Sequence, residues 1–292
     1  MPGTGKLRFG WIDVLVLMLL ASAAGYVAWR VDAVLHYRWN WSQVWVYVLR
    51  VDPATGRWAA GLLLHGFATT LRLALYGIVL AAVVGLVFGL MRTSARLFPR
   101  LVAGLYVELV RNMPPLVFMF VFYFFLSSQV IPLLGIDRLA ATGSPAVAFL
   151  FGDPKLLSNF ASGLLCLVLF EGAYITEIVR AGVQSIDCGQ WEAADSLGLK
   201  RWQRMRLVVL PQALRRILPP LAGQFIMLIK TSSIVSLISI QELTFLATEV
   251  AVTSGRVFEV WLIVAGLYFV VSAAFSLLFQ VLERGGRIAR HA

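Results

Sequence analysis

The sequence predicts an all-α fold, a polytopic transmembrane helical bundle. Three observations carry that expectation. Of 292 residues, 60% are hydrophobic and only 14% are charged, whereas a soluble domain has about a quarter charged. Apolar stretches near the length of a bilayer-crossing helix recur along the chain. A mean hydropathy of +0.82 excludes a disordered chain, which needs low hydrophobicity. The net charge of +10 would suggest nucleic acid in a soluble protein. Here basic residues at helix ends hold cytoplasmic loops on their side of the membrane, so lipid is the expected partner and nucleic acid is not. The two cysteines cannot form a disulfide framework, and His36, His65 and His291 are too scattered for a metal or haem site.

The first span is expected from Trp11 to Trp29, after Lys6 and Arg8. Ala21-Ser-Ala23 could be a signal-peptidase site, but Asp13 and the length of the apolar stretch favour an uncleaved anchor. Residues 30–58 then lie outside. A second span has its apolar core at Leu73–Met91, followed by Arg92, Arg96 and Arg100. The third is expected near Leu101–Leu126, broken at Pro114-Pro115, and the fourth from Ser162 to Ala181. A fifth begins after Arg215-Arg216 and passes Pro219-Pro220 to Lys230, and a sixth covers Val260–Leu282. Residues 127–161, with Pro132, Gly135, Pro145 and Pro154, are expected to form an irregular outer loop. Six spans put both termini on one side, and the excess of arginine and lysine in that side's segments makes it the cytoplasm.

The connection between the fourth and fifth spans is longer than packing helices together requires. Its middle reads as a short helix with Trp191, Ala194 and Leu197 on one face, Glu192 in the first turn, and Gly198 as the stop. An amphipathic helix resting on lipid is the simpler alternative, but Glu192 and Asp195 would then face an anionic leaflet.

Glu192-Ala-Ala194, then Gly198, then Val208-Val-Leu-Pro211 resembles the EAA loop of ABC-importer permeases, with Val208 where isoleucine is usual. Gly66-Phe-Ala-Thr-Thr-Leu-Arg-Leu-Ala74, Glu108-Leu-Val-Arg-Asn-Met-Pro114, Tyr174-Ile-Thr-Glu-Ile-Val-Arg180 and Gly189-Gln190 narrow the resemblance to the polar amino acid uptake branch, the histidine, glutamine and general L-amino acid permeases. Thr231-Ser232 departs from the usual Asp-Thr after the lysine. The resemblance spans residues 60–288. It implies a five-helix permease core plus one N-terminal transmembrane helix, in a bacterial inner membrane. Residues 1–58 would be the tail, accessory helix and outer loop, 59–283 the permease domain, and 284–292 a basic cytoplasmic tail. The loop near 190–200, with Gln190, Glu192, Ala193, Ala194 and Gly198, would be the coupling helix that docks on a cytoplasmic ATPase dimer. A second permease, identical or paralogous, and an external amino acid-binding protein complete the implied assembly. ATP and magnesium would bind the ATPase, and this chain, a transport subunit rather than an enzyme, would hold no cofactor.

Ionisable groups in a bilayer cost about 2.5–3.5 kcal/mol each at the helix centre, so each needs a partner or a task. Glu108 with Arg111, and Glu177 with Arg180, are spaced to pair on one helix face as structural ion pairs. Glu171 has no local partner and could accept a substrate's α-ammonium or pair with Lys230, which could instead hold a carboxylate or snorkel to the interface. Asn112 and Thr231 would add neutral hydrogen bonds to this path. Breaks at Pro114-Pro115, Gly172 and Pro219-Pro220 would free backbone groups to line it. Gly3-Thr-Gly-Lys6 lacks the preceding glycine and the final hydroxyl residue of a phosphate-binding loop. The rival class is a secondary transporter or channel without an ATPase, which would usually show an inverted repeat; none is visible.

Overall fold

The computed structural model describes residues 10–53 and 55–288 and divides into two compact units, residues 1–43 and 44–292. Lys6, Arg8, His291 and Arg290 fall outside the described residues.

In the first unit, α1 (Trp11–Leu35) presents apolar side chains all round, with Leu15 to Leu20 exposed. That is the surface of a helix solvated by lipid. Asp13, which interrupts the apolar run, accepts the Gly10 N–H at 2.7 Å, so its charge lies at the positive end of the helix dipole.

The second unit begins within α2 (Trp41–Val48) and continues through a hairpin of β1 (Leu49–Val51) and β2 (Trp58–Ala60). The long α3 (Leu62–Arg92) follows, then α4 (Leu97–Arg111). Next come α5 (Pro115–Val121), a π-helical turn at Phe122–Ser127, and α6 (Ser128–Leu133). Short helices α7 (Ile136–Ala141) and α8 (Pro145–Phe151) lead into α9 (Leu157–Gln184). The small α10 (Cys188–Ser196) and α11 (Arg201–Arg204) precede a second π-helical turn and α12 (Leu210–Thr231), which tightens into a 3-10 segment to Ile238. Finally α13 (Leu243–Ser254) and α14 (Val257–Ile288) close the bundle.

Among the described residues, six helical stretches are long and apolar enough to cross a membrane: Trp11–Val31, Leu62–Arg92, Pro115–Leu133, Pro154–Gln184, Arg201–Ile238 and Val257–Val281. The third differs from the expectation of Leu101–Leu126. Pro114 is extended (ψ 140°) and Pro115 takes the first helical position, so the chain stops at Arg111 and starts afresh. The proline pair separates two helices instead of kinking one. The fifth helical stretch starts at Arg201, earlier than Arg216, and passes unbroken through Pro219-Pro220. Residues 127–161 are largely helical rather than irregular; glycines at positive φ (Gly135, Gly143, Gly152) separate the short helices.

The core runs along α3 and α9. An added Cβ at Gly85 would lie 2.3 Å from Ile175 Cγ2, and one at Gly89 2.5 Å from Val179 Cβ, so this pair of glycines lets the two backbones close up. Small residues four apart are the usual means of such contact in membranes, where packing rather than hydrophobicity joins helices. Gly172, expected as a break, lies inside continuous α9 and is small because Val84 and Tyr106 press against it.

Candidate functional site

α10 begins at Asp187, whose carboxylate accepts the Gly189 N–H at 2.8 Å. The acidic group at the helix start is therefore Asp187, an N-cap, and Glu192 sits beyond the first turn, contrary to expectation. At the other end Gly198 adopts φ +69° while the N–H groups of Gly198 and Leu199 return to Asp195 and Ala194. This is a Schellman-type stop. Ala194 is buried and Trp191 half-buried, but Leu197 is 78% exposed and does not share their environment, because the helix has already ended there. Gln190, Glu192, Ala193 and Gly198 are all exposed on the outer side.

Two contacts fix α10 to the base of the fifth span. Arg204 pairs with Asp195 and lays its guanidinium 5.1 Å from the Trp191 ring. The Gln212 amide donates to Gln190 Oε1 at 3.0 Å. Neither contact has a local sign in the sequence, since Arg204 lies 9 residues from Asp195 and Gln212 lies 22 from Gln190, beyond the spacing that places two side chains on one helix face.

Deeper in the bundle, Glu171 is 1% exposed. It lies halfway along α9, roughly 20 Å from each end at 1.5 Å per residue. The Gln224 amide donates to its carboxylate, and the Thr231 side chain lies close by. Glu171 and Lys230 do not pair. Lys230, next in the chain to Thr231, is exposed and makes no ion pair among the described residues. An ammonium among lipid tails carries a heavy cost, so which surface this side of α12 meets bears directly on the role of Lys230.

The expected Glu108–Arg111 pair is not formed. Glu108 instead accepts the Asn112 side-chain amide at 2.9 Å, which turns Asn112 into a cap on the end of α4. Arg111 reaches across to Glu177 at 3.9 Å and over the Tyr174 ring at 5.3 Å. The half-buried Glu177 also holds Arg180 at 2.7 Å and Arg92 at 3.1 Å, so three helices supply guanidinium groups to one carboxylate. A less exposed carboxylate draws cations more strongly than the exposed Glu108, which explains the change of partner. Between these groups opens a cavity of about 580 Å³, lined by Arg111, Glu177, Arg180, Arg216, Pro220 and Gln224. Gln224 thus touches both this cavity and Glu171.

A further buried carboxylate, Glu242, escaped the sequence reading. It accepts from Thr70 Oγ1 at 3.1 Å, Tyr268 OH at 3.0 Å and the Phe245 N–H at 2.9 Å, tying α3, α13 and α14 together. Burial pushes its carboxyl above the usual range, against the pull of those donors. The signal was there, a glutamate between apolar runs three residues before Phe245, but it reads as a helix N-cap and nothing more.

Helices of bilayer length, an open cavity bordered by arginines between them and an exposed short helix on one face define a multi-pass membrane transport subunit. The chain belongs to the family of binding-protein-dependent transport system inner membrane components, whose model matches residues 77–288. It is 32% identical over 251 residues to the glutamine transport system permease protein GlnP of Escherichia coli (strain K12), covering 86% of this chain and 99% of that protein. It is 32% identical to the probable amino-acid ABC transporter permease protein YckA of Bacillus subtilis (strain 168), covering 76% of this chain and 87% of the relative. A crystal structure of an amino acid ABC transporter with histidines superposes with a TM-score of 0.61 at 34% identity, over 76% of this chain and 93% of that one. The family named from the Glu192-Ala-Ala194 motif is the family found.

Proposed function

We propose that this chain is the permease subunit of an ABC importer for polar L-amino acids, sitting in the bacterial inner membrane with both termini cytoplasmic. It would work beside a second permease, identical or paralogous, above two ATPases that bind ATP and magnesium, and would receive substrate from an external binding protein. The observation that carries this reading is α10. Its Gln190, Glu192 and Ala193 point outward while Ala194 packs inward, and Asp195 and Gln190 fix it to the fifth span through Arg204 and Gln212. A short helix held at both ends moves with that span as a body, which a flexible loop does not. Tilting α10 on an ATPase surface would therefore tilt α11 and α12, and with them Gln224, Lys230 and Thr231.

The translocation path in this reading runs past Glu171 and Gln224 into the arginine-lined cavity. The buried carboxylate of Glu171 suits an ammonium, and the exposed Lys230, beside Thr231, suits a carboxylate, so the two would accommodate a zwitterion. Asn112, capped onto Glu108, borders this route rather than entering it.

Reconstitution with the co-purified ATPase and binding protein tests the proposal. Gly198→Asp forces a β-carbon into left-handed backbone and Glu192→Lys reverses the exposed charge. Each variant should insert normally yet lose uptake and substrate-stimulated ATP hydrolysis. Uptake by the isolated chain under an ion gradient alone would instead establish an ATPase-independent transporter or channel.

A further inference from the structure

We propose that the segment Val44–Ala60 is a rigid foot that rests among phospholipid headgroups, on the bilayer face opposite α10. Two sets of contacts make it rigid. Val44, in the middle of α2, is fully buried in one cluster with Leu63, Leu243 and Val260, which joins α2 to the start of the second and sixth spans and to α13. Gly61 donates its N–H to the Val48 carbonyl at 2.8 Å, and a β-carbon there would come within 2.2 Å of the Tyr47 carbonyl oxygen. The helix end and the hairpin are thus clamped to the bundle by backbone as well as by side chains.

What the foot turns outward is apolar and cationic together. Trp45 is 54% and Trp58 74% exposed, and neither indole has a ring contact or a side-chain hydrogen bond among the described residues. The register pairs Val51 with Trp58 and Leu49 with Ala60, so Leu49, Val51 and Trp58 share one face of the hairpin while Arg50 points to the other. Arg50 and Arg57 are exposed and make no ion pair among the described residues.

The depth of this surface follows from the chain itself. β2 ends at Ala60 and α3 starts at Leu62; at about 1.5 Å per residue its 31 residues exceed the hydrocarbon core of about 30 Å and match the full bilayer of about 40–45 Å, so the hairpin at its start lies at headgroup level. The loop after the first span and the loop after the fourth fall on opposite faces, which places the foot away from α10. Indole rings at that level prefer the headgroup boundary, where the ring is dry and its N–H is wet. Guanidinium groups beside them bind phosphate. An aqueous protein partner would not explain why the tryptophans sit at that depth.

The test uses the full chain in vesicles of phosphatidylcholine and phosphatidylglycerol with brominated acyl chains, compared with a Trp45→Phe/Trp58→Phe double variant. The difference in fluorescence isolates these two rings. It should be blue-shifted, fall by about half in brominated vesicles and resist aqueous iodide. Arg50→Gln/Arg57→Gln should also reduce the phosphatidylglycerol that co-purifies with the chain. A difference signal quenched by iodide and untouched by bromine overturns the proposal. So does a signal that only an added binding protein shields from iodide.

Discussion

Arg204 closes on the Asp195 carboxylate from the far side of the Gly198 turn, with its guanidinium stacked on Trp191. Asp195 is 57% exposed and Arg204 20%, so the pair is partly screened, and its coupling should be only about 0.5–1 kcal/mol. A double-mutant cycle with Asp195→Asn and Arg204→Gln measures that number. If the pair transmits motion rather than merely folding α10, uptake should drop by about fivefold, the equivalent of roughly 1 kcal/mol, while thermal stability barely changes. Equal losses of stability and uptake would assign the pair to folding alone.

The α3–α9 contact makes a second prediction, on stability. Gly85→Ala places a methyl 2.3 Å from Ile175 Cγ2, and overpacking of that kind costs about 1–3 kcal/mol. Gly266→Ala in α14 meets nothing within 4 Å and should leave stability unchanged or slightly higher. Thermal unfolding in detergent, followed by the fraction remaining monodisperse, separates the two. Equal melting of both variants would mean that the helices do not approach as closely as described.

These contacts also show what the sequence could reveal. Hydropathy located five of the six spans, because burial in lipid is a property of one segment at a time. It misplaced the third, where the limit is set by Pro114 and Pro115 and the apolar residues on both sides belong to different helices. The Glu192-Ala-Ala194 motif marked α10, and Gly198 ended it as its neighbours suggested. Spacing by three failed for Glu108 and Arg111, since Glu177 on another helix competes for the same guanidinium. Local rules know only the partners within a turn. Gln224 beside Glu171, and Thr70 beside Glu242, are meetings of distant segments and had no local sign.

Glu171 separates charge from packing. Glu171→Gln retains the shape and an acceptor for Gln224 but cannot offset an ammonium, so uptake should fall by about tenfold, near 1.4 kcal/mol, with insertion intact. Glu171→Leu also removes the acceptor of the half-buried Gln224 amide, which adds about 1 kcal/mol of instability. Uptake and melting temperature should therefore part company in the first variant and fall together in the second. Full transport by Glu171→Gln would remove the carboxylate from the path.

Lys230 permits a sharper test, because its two environments give opposite signs. An ammonium facing lipid at mid-bilayer would be a burden of about 2.5–3.5 kcal/mol, and Lys230→Met would then stabilise the chain and leave uptake alone. If α12 turns that ammonium toward the route that Glu171 and Thr231 also border, the same substitution should gain no stability. It should instead raise KM for a zwitterionic amino acid by about tenfold, while Lys230→Arg, which keeps the cation, should restore most of the affinity. The sign of the stability change alone, read from thermal unfolding of Lys230→Met, decides whether this side of α12 faces lipid or the path.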